Sequence, residues 1–133
     1  MIKKILSLDK HKKVKFVILF GSVKTGGNTP LSDTDIAVYY DGNKKERFMF
    51  RRLVSGSLPD KIDVQIFQDL PVVLKKEVIR GKILYQNNFK LLFQESIKVI
   101  KEFNRFEKYY NRYLDSLRAE VEIWITKIGF LLS

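Results

Sequence analysis

The most constraining feature of this sequence is a helical pattern that fills its last third. Between residues 88 and 132, apolar side chains recur three and four positions apart, as on one face of an α-helix; they are Phe103, Phe106, Tyr110, Tyr113, Leu117, Val121, Trp124, Ile128 and Leu131. A straight helix over that range is about 67 Å long, whereas a compact domain of 133 residues has a radius of gyration of about 14 Å. The helix is therefore expected to break, at Asn87 and Asn88 or near Asn104, or to protrude.

The residues before this pattern predict strands that alternate with helices. Short segments rich in β-branched and aromatic residues, or alternating apolar with polar residues, predict strands at 14–20, 33–40 and 61–67, with a short extended piece at 82–85. Helical patterns occupy 43–56 and 70–80 and end near a glycine. Residues 21–32 hold three glycines and a proline and are expected to form a loop.

Composition excludes several classes of protein. A chain with no cysteine has no disulfide, no thiolate metal site and no cysteine nucleophile, so any metal must be held by oxygen ligands. No apolar run approaches the roughly 20 residues that a membrane span needs, and residues 1–15 do not resemble a secretory signal. We therefore expect a cytoplasmic protein that does not enter a membrane.

The net charge of +10 arises from 25 Lys and Arg against 15 Asp and Glu. Such an excess favours polyanionic partners such as nucleotides or nucleic acid. The lysines are scattered, however, which is more typical of a solvated surface, and no motif indicates an RNA-binding module. The single histidine, His11, lies in a lysine run and is assigned no role.

Three aspartates are the candidate catalytic residues. Asp33 and Asp35 are one residue apart in a predicted strand, so both side chains point to one face. Asp63 and Gln65 share a face of the next predicted strand, opposite Val64. If the two strands are neighbours, the three carboxylates converge.

Converging carboxylates repel one another unless a cation is present. Hard oxygen ligands suit Mg²⁺, and two ions about 3.5–4 Å apart stabilise the attacking and leaving oxygens of a displacement. We expect Asp33 and Asp35 to bind both ions, and Asp63 to bind one and to accept the proton of an attacking hydroxyl. Gly21 and Ser22 follow the first strand and are expected to contact a triphosphate through the backbone and a hydroxyl.

Each of these features is ordinary by itself. A glycine-serine pair after a strand is a common turn, and an Asp-x-Asp motif is often a solvated strand end or a helix cap. The functional interpretation depends on finding them together. In combination, the strings F20-G21-S22, S32-D33-x-D35-I36 and I62-D63-V64 resemble the minimal nucleotidyltransferases of the DNA polymerase beta superfamily, and the likeness extends over about residues 14–86.

This resemblance implies an α+β fold with a small mixed sheet and helices on one face. Residues 1–86 would form the nucleotidyltransferase core and residues 87–133 a C-terminal helical extension, packed on the core or on a partner. The implied reaction transfers a nucleoside monophosphate from a nucleoside triphosphate, expected to be ATP, to a hydroxyl. Family loops often carry an arginine after the Gly-Ser pair, whereas this loop has Lys24, which is expected to supply the positive charge.

Many proteins that resemble this chain are partners of HEPN toxins, and some silence the toxin by nucleotidylating a tyrosine. The resemblance thus implies an antitoxin whose helical tail docks a HEPN-type partner, although the apolar stripe also suits core or homo-oligomer packing. Two alternatives remain open: a non-catalytic protein that neutralises a toxin by contact, and a nucleotidyltransferase that acts on RNA or a small molecule. A fused HEPN nuclease is discounted, because the only histidine precedes the first arginine, Arg47.

Overall fold

Four strands form one mixed sheet in the computed structural model, which describes residues 1–21 and 34–132. The strands are β1 (Val14–Phe20), β2 (Thr34–Tyr40), β3 (Ile62–Ile66) and β4 (Lys82–Gln86). Their order is β3-β2-β1-β4, in which β1 is antiparallel to β2 and β4 while β2 is parallel to β3. The predicted α+β class and mixed sheet are confirmed.

Four helices accompany the sheet in the described part of the chain: α1 (Ile2–Leu8), α2 (Lys44–Ser57), α3 (Val72–Ile79) and α4 (Phe89–Leu132), with a 3₁₀ turn at Phe67–Asp69. The break expected at Asn87 and Asn88 does not interrupt the helix: α4 begins directly after Asn88, whose Oδ1 accepts a hydrogen bond from Leu91 N at 3.0 Å, and it is continuous from Phe89 to Leu132. The alternative break near Asn104 is wrong, since α4 continues through that residue.

The helix α1 was not predicted. Its apolar residues Ile2, Ile5 and Leu6 follow a helical spacing, but lysines at positions 3 and 4 obscure it. Ile5 is fully buried and belongs to a core cluster with Phe50 and Val54 of α2. Burial against α2, which a short local pattern does not reveal, therefore accounts for this helix.

One core cluster lies between the sheet and helices α1 and α2. It is formed by strand residues that point to this face and by residues of α1 and α2, which cover them. Its buried members are Ile5, Val14, Val17, Ile36, Val38, Tyr40, Phe50, Val54, Val64 and Ile66. Val64 lies on this face, opposite Asp63 and Gln65, as the alternation in its strand predicted.

A second core cluster occupies the other face of the sheet. Its buried members are Phe16, Ile18, Phe20, Ala37, Phe67, Val78, Leu92 and Val99, so α3 and the beginning of α4 pack there. The expectation of helices on one face is therefore corrected: helices cover both. Two faces are needed because β1 and β2 bury residues of both parities, and each apolar face requires a cover.

The chain divides into two compact units, residues 1–99 and residues 100–133. The first unit contains the sheet, and the second contains the C-terminal part of α4. In the second unit the apolar stripe is exposed, with Trp124 at 66% and Tyr113 at 59% of full exposure. In the described ranges, no helix has the length and hydrophobicity needed to cross a membrane.

Candidate active site

The antiparallel pairing of β1 and β2 places Gly21 beside Asp35. Phe20, the last residue of β1, is the register partner of Asp35, and Gly21 follows it directly. A Cβ built on Gly21 would lie 3.2 Å from Asp35 Cγ and in still closer contact with Asp35 Oδ2. The backbone of Gly21 therefore lies against the Asp35 carboxylate, and a φ of +85° turns the chain away from the strand.

The parallel pairing of β2 and β3 places Asp63 beside Asp35. The two residues are register partners, flanked by the pairs Thr34–Ile62 and Ile36–Val64. Both side chains are partly buried. Neighbours in register point to the same face of a sheet, so the two carboxylates lie side by side, as the sequence interpretation required.

The acidic face is the one covered by α3 and the beginning of α4. Residues Ile36 and Val64, adjacent in sequence to the two acids, face α1 and α2 instead. Ala37 lies on the acidic face and belongs to the second core cluster. Tyr39 continues that face, and burial, with a smaller contribution from Glu95, raises the pKa of its phenol. The acids thus lie where a buried core ends and a partly open surface begins.

Three hydrogen bonds from side chains hold β3 and the Asp63 carboxylate in place. Arg51 Nε of α2 donates to Val64 O at 2.9 Å, which ties β3 to the helix. Gln65 Nε2 donates to Asp63 Oδ1 at 3.2 Å and to Oδ2 at 3.1 Å. Sequence reasoning assigned Gln65 to the face of Asp63 but gave it no role; only its shared parity with Asp63 hinted at this contact.

Three of the predicted site residues lie outside the described residues: Ser22, Lys24 and Asp33. The structure therefore brings together Gly21, Asp35 and Asp63. Within residues 1–21 and 34–132, no group of three or more His, Asp or Glu side chains is placed to hold a metal ion. Asp35 and Asp63 form a pair of carboxylates, and Asp33 precedes Asp35 by two positions in the sequence.

The chemistry of this arrangement follows from its donors. Two carboxylates on one face provide hard oxygen ligands of the kind that Mg²⁺ prefers. The absence of a side chain at Gly21 gives room to one of them, the Asp35 carboxylate, directly against the backbone. Oxygen ligands for a divalent cation beside a glycine turn are typical of enzymes that act on phosphate groups.

Comparison with known proteins agrees with this class. A family model described as polymerase beta nucleotidyltransferase matches residues 2–90. The chain belongs to the polymerase beta nucleotidyltransferase family. The predicted enzyme class, nucleotidyltransferase, is thereby confirmed. A relative from Methanocaldococcus jannaschii, named "Putative protein adenylyltransferase MJ1547", is 29% identical over 98 residues, which are 74% of this chain and 70% of the relative.

Solved structures share the fold. A chain in the crystal structure of a toxin-antitoxin with AMP-PNP is 24% identical, with a TM-score of 0.68 over 87% of this chain and 94% of that one. Another similar chain belongs to a structure described as a tri-AMPylated Shewanella oneidensis HEPN toxin in complex with MNT antitoxin. That chain is 22% identical to this one, with a TM-score of 0.63 over 86% of this chain and 93% of that chain. At these identities, the likeness establishes a common fold.

Proposed function

We propose that this protein is a metal-dependent adenylyltransferase that moves AMP from ATP to a hydroxyl of a HEPN-type toxin and so acts as its antitoxin. The observation that carries the proposal is the register of Asp35 with Asp63, beside Gly21. The names of the relatives support the choice of reaction and partner, since they include a protein adenylyltransferase and an AMPylated HEPN toxin bound to an MNT antitoxin.

The donors present fit Mg²⁺. Asp35 and Asp63 offer adjacent carboxylates, and the likeness to the family adds Asp33. In the proposed site Asp33 and Asp35 would hold two ions, and Asp63 would help to hold one of them. Bound with the nucleotide, Mg²⁺ neutralises phosphate charge and stabilises the attacking and leaving oxygens.

The transfer itself requires one proton acceptor and one electrophile. The oxygen of the acceptor hydroxyl forms a bond to the α-phosphorus of ATP, and the bond from that phosphorus to the bridging oxygen breaks, so pyrophosphate leaves. Asp63 accepts the proton of the hydroxyl. Its position on an edge strand, outside Asp35, suits contact with an incoming acceptor.

Binding of the triphosphate is assigned to the residues that follow β1 in the sequence. Gly21 admits the phosphates close to the backbone, Ser22 offers a hydroxyl and an amide, and Lys24 supplies a positive charge. A lysine acts as a point charge and lacks the bidentate geometry of an arginine. We therefore assign the specificity for ATP to other parts of the site. The reaction is proposed to take place in the cytoplasm.

The proposal is tested by a transfer assay. The protein is incubated with Mg²⁺, labelled ATP and a HEPN-type toxin, and label on the toxin is measured. We expect Asp63→Asn to lower transfer by about 10²- to 10⁴-fold, the usual contribution of a positioned proton acceptor. Asp60→Asn, an exposed position just before β3, is the matched control and keeps full transfer. Equal transfer rates in the two variants would show that Asp63 has no role in the reaction.

A second candidate function is neutralisation of the toxin by contact alone. The exposed apolar stripe of residues 100–132 favours it, because such a surface is suited to docking a helical partner. The two candidates differ in their dependence on the acids: Asp35→Asn and Asp63→Asn leave neutralisation intact under the second, and abolish it under the first.

A further inference from the structure

Gln65 is a polar side chain at the site that the proposed reaction leaves without a role. It lies two positions after Asp63 on β3, so both side chains project from the same face. Its Nε2 atom lies 3.2 Å from Asp63 Oδ1 and 3.1 Å from Asp63 Oδ2. One amide group is therefore shared almost equally between the two carboxylate oxygens.

The backbone at both ends of this hydrogen bond is held in place. Val64, the residue between them, is buried at 1% exposure, and its carbonyl accepts the hydrogen bond from Arg51. On the other side, Asp63 and Gln65 are in register with Asp35 and Ala37 of β2. Because neither backbone position is free to shift, the bond acts on the rotation of the Asp63 carboxylate.

We propose, building on the adenylyl transfer proposed above, that Gln65 is a positioning residue that sets the plane of the Asp63 carboxylate. The terminal torsion of an aspartate is broad, so an unrestrained carboxylate samples many orientations. A shared amide removes that freedom. Each carboxylate oxygen has about two acceptor positions, and the amide uses one on each, so one on each remains for a cation or for the acceptor proton.

The neutrality of the amide is part of the inference. A lysine or arginine at position 65 would pair with Asp63 and offset the negative charge that attracts a cation. A glutamate would add a further acid beside Asp35 and Asp63 and repel both. Glutamine orients the carboxylate by hydrogen bonding and leaves its charge available.

The test compares Gln65→Met with Gln86→Met, a matched change at the exposed end of the other edge strand. Methionine keeps the length of glutamine and removes the donor. Three quantities are measured on the full chain: kcat and KM for ATP in transfer to the toxin, the affinity for Mn²⁺ by electron paramagnetic resonance, and the melting temperature. Loss of an oriented ligand typically costs about 10- to 100-fold in activity or metal affinity.

For Gln65→Met we expect kcat and Mn²⁺ affinity to fall by about that factor, with KM for ATP and the melting temperature equal to those of Gln86→Met. Unchanged kcat and Mn²⁺ affinity would overturn the inference, as would tighter Mn²⁺ binding, which would mean that the amide competes with the ion. A wild-type chain that transfers no AMP would overturn the proposed function instead, and Mn²⁺ affinity would then decide the role of Gln65.

Discussion

At the scale of single residues, the site depends on a glycine that is restricted in two independent ways. The φ of Gly21 is +85°, a region that favours glycine because other residues place their Cβ too close to the following carbonyl. The neighbouring Asp35 restricts it again, because its carboxylate occupies the position that a Cβ would take. The same atoms that form the site thus exclude any side chain at position 21.

Replacement of Gly21 by alanine tests this restriction. We expect Gly21→Ala to lower the free energy of unfolding by about 1–2 kcal/mol from backbone strain alone, and to lower adenylyl transfer because the Asp35 carboxylate must move. Urea unfolding and the transfer assay measure the two effects. Gly56→Ala in α2 is the control: its Cβ would meet open space, so the change is expected to stabilise the helix by about 0.5–1 kcal/mol. Equal stability of the two variants would contradict the restriction.

Asp63 and Gln65 illustrate what parity in a strand reveals. That both project from one face followed from the alternation in residues 61–67. That the amide reaches both oxygens of the carboxylate did not follow, because it depends on rotamers and on how Arg51 holds the strand.

At the scale of elements, the beginning of α2 is held by a network of three side chains. Asn43 Oδ1 accepts from Glu46 N at 2.9 Å, and Glu46 Oε1 accepts from Asn43 N at 3.0 Å, which forms a capping box. Glu46 Oε2 also pairs with Lys13 Nζ at 2.6 Å. This ion pair links the residue before β1 to α2 and so supports the α1–α2 face of the sheet.

The ion pair has a defined pH dependence. The hydrogen bond from Lys13, with a second from the backbone of Asn43, lowers the pKa of Glu46, and Glu46 raises the pKa of Lys13. A lowered carboxyl pKa stabilises the fold at neutral pH, and this stabilisation is lost as the pH falls through the pKa of folded Glu46. The raised pKa of Lys13 also stabilises the fold at neutral pH, but this stabilisation is lost at high pH, as the pH rises through the pKa of folded Lys13.

Glu46→Gln isolates the charge, since glutamine also completes a capping box. We expect its melting temperature to lie below that of the wild type near neutral pH and to converge with it as the pH falls through the lowered pKa of folded Glu46. Melting curves from pH 3 to about pH 9 measure the difference, which 1 M salt is expected to reduce. Glu77→Gln on the exposed side of α3 is the control. A constant difference across the whole pH range would show that the charge is not responsible.

At the scale of the whole molecule, the proposed function assigns the exposed stripe of the second unit to binding of the partner protein. Large apolar side chains such as Phe106, Tyr113 and Trp124 are 40% to 66% exposed, and aromatic residues of this kind dominate the energy of protein interfaces. Contiguous exposed apolar residues of this kind often mark a site where another protein binds.

Charged substitutions in the stripe test this interpretation. We expect the double variant Phe106→Glu, Tyr113→Glu to bind a HEPN-type toxin at least about 30-fold more weakly, as for the loss of an interface residue worth 2 kcal/mol or more. Calorimetric titration of the toxin measures the affinity. Asn111→Glu, an exposed position on the same helix outside the stripe, is the control and is expected to bind normally. Equal affinity of the double variant and this control would assign the stripe to another partner.

Local periodicity in the sequence determined most of the elements. Strand β1, the end of β2, the course of α2 and the start of α4 at Asn88 are all readable from spacing and end signals, because these depend on neighbours a few residues apart. The candidate acids were readable too, since parity in a strand assigns each side chain to a face and carboxylates are the oxygen ligands available to a chain without cysteine.

Tertiary structure alone decided which faces meet. The burial of α1 against α2, the cover that α3 and α4 provide over the acidic face, and the register of Asp35 with Asp63 all join residues far apart in the chain. A one-residue slip in register would leave every local pattern unchanged and would move the two acids out of alignment. Such pairings are set by the packing of the whole core, which no single segment encodes.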